Sequence, residues 1–172
     1  ILDFENLTEE NIYVLESPVL SNSQSEKFML FFKKNIKILD CTFNIQEGLK
    51  KRLDDLRNEA EFAVREGIRH LILSDKKISL KKAAIPAALA IGAVNSKLID
   101  LGIRGFTSIN VQTSEVLDTH SFAVLLGVGA TTVNPYLAFD SIHQRFEKKL
   151  FDNLSFKECV KRYAKSIDNG LL

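Results

Sequence analysis

Apolar positions follow two alternating rhythms along this chain. Short runs rich in branched and aromatic residues, at 36–43, 71–75, 107–112 and 131–133, have the composition of buried strands. Longer segments between them carry apolar residues at helical spacing. Leu49, Leu53, Leu56, Ala60, Ala63 and Val64 form one face of a helix whose other face is charged, and Gly67 is placed to end it. Residues 84–94 are apolar almost all round, which predicts a helix buried on more than one side, with Pro86 near its first turn and Gly102 at its close.

Helix boundaries carry their own signals. Asn44-Ile45-Gln46-Glu47 reads as a capping box. Asp118 is placed to cap a helix over 119–126, and Gly127-Val128-Gly129 returns the chain to the fourth strand. Asn134 is placed to cap the next helix, with Pro135 at its first position and Phe139, Ile142, Phe146 and Leu150 as its stripe. Ser155 with Glu158 makes a second capping box. Phe156, Cys159, Val160, Tyr163 and Ile167 face inward from the last helix, which Gly170 is expected to stop. Residues 1–35 are the least regular: Leu7-Thr8-Glu9-Glu10 and Ser17-Pro18 punctuate turns, and Ser25 can cap a short aromatic helix reaching Lys33, with Phe28, Met29, Phe31 and Phe32 on it.

Strand and helix alternate at intervals of about thirty residues, the size of βα units. The fold class is therefore α/β: a parallel sheet of about four strands in consecutive βα units with helices packed on it, either half-barrel-like or a small open sheet. The 172 residues make one domain, 1–35 as the irregular lead-in and 36–172 as the βα repeats.

Composition narrows the partners. Net charge is +1, from 23 basic against 22 acidic residues, and the basic clusters are short and scattered, so neither nucleic acid nor an anionic membrane is expected. There is no window of about 18 apolar residues that could span a bilayer. Two cysteines, Cys41 and Cys159, stand far apart without a CxxC, which fits buried thiols in a reducing, cytosol-like compartment and not an iron–sulfur or zinc site. The chain opens on Ile1, and an excised piece of a larger polypeptide is expected.

Reacting groups in parallel α/β folds gather at the C-terminal ends of strands. Those ends here are Asp40 and Thr42, Ser74 and Asp75, Thr113 to Glu115 with His120 beyond, and Thr132 with Asn134. Glu115, Asp118 and His120 could form an acid–base cluster, but helix capping by Asp118 is the favoured reading. The glycines of Gly127-Val128-Gly129 precede their strand, whereas a phosphate cradle requires them after it, so a tight turn is expected. His70 and His143 are isolated, and no metal site is expected.

Longer phrases carry a family likeness. LILSDKKI at 71–78, IPAALAIGAVNSKLIDLG at 85–102, VQTSEVLDTHSFAVLLGVGATTVNPYLAFD at 111–140 and YAKSIDNGLL at 163–172 resemble the central domain of the large subunit of glutamate synthase, with the weaker GLKKRLDDLRNEAEFAVREG at 48–67 and SPVL at 17–20 in the same order. The resemblance implies a fragment of a glutamine-dependent oxidoreductase that makes glutamate from glutamine and 2-oxoglutarate. It implies a piece that links a glutaminase domain to an FMN-binding barrel domain of the same polypeptide and helps wall the ammonia path. No catalytic residue, cofactor or metal is implied for the fragment, which would be inactive alone; FMN and an iron–sulfur cluster are implied for the parent enzyme. Cytoplasmic location is implied, or plastid in a photosynthetic eukaryote. Glu115, His120, Asn134 and Tyr136 are the matched polar positions for a domain interface or the ammonia path. Ser121 stands where the family often has a second histidine, and Lys76 where it often has arginine. The alternative is a free-standing half-barrel protein binding a phosphate or flavin ligand.

Overall fold

The computed structural model describes residues 13–172, so the turn signals at Leu7-Thr8-Glu9-Glu10 lie outside the described residues. In chain order the elements are α1 (Asn22–Phe31), β1 (Ile36–Asp40), β2 (Thr42–Asn44), α2 (Leu49–Arg65), β3 (His70–Ser74), β4 (Lys82–Ala84), α3 (Ala87–Asp100), β5 (Ser108–Gln112), α4 (Thr119–Gly127), β6 (Thr132–Asn134), α5 (Tyr136–Glu147) and α6 (Phe156–Leu171). The expected α/β fold is present. β1, β3, β5 and β6 form a parallel sheet and stand side by side in chain order. That is the winding of a half-barrel; a doubly wound sheet reverses its order at a switch point.

The sheet is two-sided. Leu39, Leu71, Leu73, Ile109, Val111 and Val133 join one continuous core with Leu56 and Ala60 of α2, Ile91, Val94 and Leu98 of α3, and Phe122 and Leu125 of α4. Ile91, Leu98, Leu71 and Ile109 are all fully buried. Each such side chain contributes about 1.5–3 kcal/mol by leaving water. Burial on both faces explains why β3 and β5 lack alternation. The other face carries aligned rows: Ile36, His70 and Ser108; Ile38, Ile72, Asn110 and Thr132; Asp40, Ser74, Gln112 and Asn134. It is largely polar, and α1 lies over it.

Several local expectations are corrected. The run 36–43 is not one strand. At Asp40 the carboxylate accepts from the N–H and hydroxyl of Thr42 (3.0 and 2.7 Å), the chain turns, and β2 pairs antiparallel with β4 in a separate ribbon. The stretch between β3 and α3 thus contains a strand, which the charges of Lys81 and Lys82 concealed. α1 is capped by Ser21 in a full capping box with Gln24, not by Ser25, which lies buried inside the helix. Asn44 closes a turn through Gln46 N–H (3.1 Å), and Gly48 is the residue that precedes α2. Gly170 does not stop α6 but lies within it, where a β-carbon would come within 2.7 Å of Thr119 on α4. Its bareness serves the contact between two helices. Asp118 caps α4 and Ser155 with Glu158 caps α6, as their spacing predicts.

Segment 18–20 continues the sheet beyond β6. Leu20 N–H donates to Val133 O and Val133 N–H to Pro18 O (2.9 and 2.8 Å), making Val19 a parallel bridge partner of Val133. Among the described residues, no helix is long and apolar enough to cross a membrane.

Candidate functional site

The C-terminal ends of the parallel strands hold the densest polar arrangement, and Asp75 is its hub. It follows β3, is buried, and its Oδ2 accepts from the Thr113 hydroxyl, the Ser114 N–H and the Ser114 hydroxyl at 2.9, 2.9 and 3.1 Å. These bonds tie the end of β3 to the loop after β5. Its Oδ1 is buried without a hydrogen-bond partner among the described residues. Asp75 also lines a cavity of about 10 Å³ beneath the first turn of α3, with Cys41, Ile85, Ala87 and Ile91.

Tyr136 opens α5 beside this hub. Burial pushes its hydroxyl up to about 12, and the neighbouring Asp75 carboxyl adds to the rise. The Lys76 ammonium lies 5.1 Å from the centre of its ring, a cation–π contact. The hydroxyl is near Asp75 and Ser114 without the alignment that would satisfy Oδ1.

Asn134 corrects its expected role. It is the last residue of β6 and does not cap α5; Pro135 occupies the cap position without a side-chain bond. The Asn134 amide donates to Leu20 O and to Asn22 Oδ1, both at 2.9 Å, while its own Oδ1 is buried without a partner among the described residues. Asn22 in turn donates to Asp140 Oδ1 at 2.8 Å. The residue is therefore a clasp on the N-terminal segment. The short polar side chain ahead of Pro135 imitates a cap in sequence, but a strand residue whose side chain faces a neighbouring strand bonds there instead.

Glu115 and Asp118 act on helices and not on each other. Glu115 Oε2 accepts the Ala87 N–H of α3 at 2.9 Å, and Asp118 Oδ1 accepts the Ser121 N–H at 2.8 Å. That bond, with the Ser121 hydroxyl and the His120 charge, holds the Asp118 carboxyl below its ordinary value. His120 is exposed on the first turn of α4, and no hydrogen bond joins it to either carboxylate. Glu115 and Tyr136 thus stand at the sheet end near Asp75, Asn134 lies on the opposite sheet face in the row of Ser74 and Gln112, and His120 stands apart. Asp75 was visible as a polar strand exit; its role as the hub follows from Thr113 and Ser114, which sequence separates from it by 38 and 39 residues.

One of the two thiols lines the cavity beside Asp75 and the other lies away from it. Cys41 is buried under α3, and burial pushes its thiol up to about 12; Cys159 is buried on α6. Among the described residues no three His, Cys, Asp or Glu side chains converge to hold a metal ion.

Taken together, the fold and its strand ends define an α/β domain of consecutive βα units whose polar groups are tied into its own loops and helix ends. The whole chain, residues 1–172, matches the model of the glutamate synthase central domain. It is 45% identical over 175 residues to the glutamate synthase [NADPH] large chain of Azospirillum brasilense, covering 100% of this chain and 12% of that protein. It is 37% identical over 158 residues to the corresponding Bacillus subtilis chain (92% and 10% covered) and 36% identical over 174 residues to the chloroplastic ferredoxin-dependent glutamate synthase of Spinacia oleracea (92% and 11% covered). The chain belongs to the glutamate synthase central domain family. It spans about a tenth of the length of these curated relatives.

Proposed function

We propose that this chain is the connecting domain of a glutamine-dependent glutamate synthase. In this reading it links a glutaminase domain to an FMN-binding synthase domain of the same polypeptide and helps wall the path along which ammonia passes between them. The observation that carries the reading is one of proportion: a family match over all of the chain that covers about a tenth of relatives named as a glutamate synthase large chain and a ferredoxin-dependent glutamate synthase. The site supports it. At the strand ends, Glu115 and Asp118 stabilise helix termini, Asn134 clasps segment 18–20, and Asp75 ties two loops together. These groups build a firm polar edge, with Tyr136 and Lys76 at its margin.

The parent enzyme would then be an oxidoreductase of glutamate biosynthesis and ammonia assimilation, forming glutamate from glutamine and 2-oxoglutarate. FMN and an iron–sulfur cluster belong to its other domains. The residues here do not fit such a cluster, because Cys41 and Cys159 are separately buried and the Cys41 thiol is held un-ionised. Glu115, Tyr136 and His120 remain the residues to contact neighbouring domains or the ammonia path, while Asn134, which is buried, acts through the segment 18–20 that it holds. A cytoplasmic enzyme is proposed, or a plastid one in a photosynthetic eukaryote, in keeping with the chloroplastic name of the spinach relative. An assay of the chain alone for glutamine hydrolysis and for glutamate formation tests the reading. Neither activity is expected, and turnover of glutamine by this chain would contradict it.

A further inference from the structure

His70 begins β3 on the sheet face that α1 covers. Its ring centre lies 4.0 Å from that of Phe32 and 5.3 Å from that of Phe28, so the C-terminal end of α1 rests on it. Its Nδ1 is 2.8 Å from Ser108 Oγ. The direction of this bond follows from its neighbours. A backbone carbonyl only accepts, so the Asn110 group 3.3 Å from Leu71 O is the amide nitrogen. The same nitrogen donates to Ser108 Oγ at 2.8 Å. Asn110 Oδ1 is left to accept from the Thr132 hydroxyl at 2.8 Å. Ser108 Oγ keeps a second lone pair, but its hydrogen has no other acceptor among the described residues, which favours donation to His70 Nδ1 and the neutral tautomer with its proton on Nε2. A directed chain of hydrogen bonds therefore runs from β6 through β5 to β3 and ends under α1.

We propose that His70 is a pH-operated latch for α1. Protonation at Nδ1 reverses the last bond of the chain, leaves the Ser108 hydrogen without its acceptor, and places a cation in a half-buried niche close to the Arg69 charge. The C-terminal end of α1 is then released from the polar sheet face. Among the described residues, the elements around the ring offer no compensating anion: Phe28 of α1 and Phe32 just after it, with Tyr13 behind them; Lys33 and Lys34 in the turn that follows; Ile36 and Lys37 from β1; Arg69 ahead of β3; and Ser108 from β5. Burial first and the Arg69 charge second hold the imidazole below its ordinary value. The sign follows. Docked α1 binds the proton less well than released α1, so the contribution of His70 to docking is fully present above about pH 6.5 and weakens as pH falls from there toward the docked value, by up to about tenfold per pH unit.

The remaining anchors confine the motion to one end. Ser25 accepts from Gln112 Nε2 at 3.1 Å and Asn22 is clasped by Asn134, and neither contact titrates in this range. The test follows the His70 ring nitrogens and the amide exchange of Phe31 and Phe32 by NMR in this chain between pH 7.5 and 5. The expected result is the Nε2–H tautomer at pH 7.5, with protection of these amides falling up to about tenfold per pH unit below 6.5. His70→Asn, which keeps an acceptor near Nδ1 but does not titrate, should hold protection level across the range. If that variant does not fold, Ser108→Ala serves instead: without the donor, the Nε2–H preference should weaken and the His70 midpoint should rise. A proton on Nδ1 at pH 7.5, or level protection while His70 titrates, overturns the latch.

Discussion

Glu115 caps a helix that begins 28 residues before it, with its carboxylate 2.9 Å from the Ala87 N–H at the start of α3. Pro86 occupies the cap position and has no polar side chain to offer, so the loop after β5 supplies the acceptor. Glu115→Ala should lower stability by about 1 kcal/mol, the usual cost of losing a cap, and Glu115→Gln should retain most of it because an amide oxygen still accepts. Urea unfolding of the two variants beside the parent chain checks this.

Asn134 joins β6 to segment 18–20 through two donated bonds, and it is buried. Asn134→Ala leaves Leu20 O and Asn22 Oδ1 without that donor and should cost about 1–3 kcal/mol. Asn134→Asp should cost more, since a carboxylate would face the acceptor Leu20 O. Denaturant titration gives the cost, and loss of exchange protection at Leu20 N–H locates it.

Much of the fold was legible because burial leaves periodic traces. Leu56, Ala60, Ala63 and Val64 mark the inner face of α2, and the short apolar runs at β3 and β5 mark strands buried on both sides. Local capping by Asp118 and by Ser155 with Glu158 was also legible, because donor and acceptor are three residues apart. What escaped was set by distant partners. Asn134 resembles a cap until segment 18–20 lies beside β6. Lys82 resembles a loop until β2 pairs with β4. Asp75 becomes a hub only when the parallel register brings Thr113 and Ser114 to it. Glu115 and Asn134 were singled out by strand-end position and Tyr136 by the family resemblance, but the bonds they make were not encoded locally.

Gly129 returns α4 to β6 with φ at +121°, and an added β-carbon would meet Asn95 Cγ at 2.5 Å. Asn95 has little freedom to withdraw, because its Oδ1 accepts from Arg104 Nε at 2.6 Å while the same guanidinium donates to Gly129 O at 2.9 Å. Gly129→Ala should therefore lower stability by about 2 kcal/mol, from backbone strain and displacement of this junction together. A lowered thermal midpoint with unchanged far-ultraviolet circular dichroism is the expected signature.

Cys41 should be silent toward a thiol reagent in the native chain at pH 8. Burial outweighs the Arg52 charge and pushes its thiol from 9.0 up to about 12. The unfolded thiol ionises at its ordinary value while the folded one does not, so this group's contribution to stability is full below pH 9 and is lost as pH rises from there toward 12. Labelling with a chromogenic disulfide before and after denaturation checks the first statement, and the alkaline limb of a stability–pH curve checks the second.

Ammonia balance in the full-length synthase carrying this domain measures the proposed coupling between domains. Tyr136→Ala removes the aromatic group that stands at the sheet end between Lys76 and Asp75. Glutamine hydrolysis should persist in this variant while glutamate formed per glutamine consumed falls and free ammonia appears in solution. Unchanged one-to-one coupling of glutamine hydrolysis to 2-oxoglutarate consumption, in a folded Tyr136→Ala enzyme and equally in Glu115→Ala and Asn134→Ala, would contradict it.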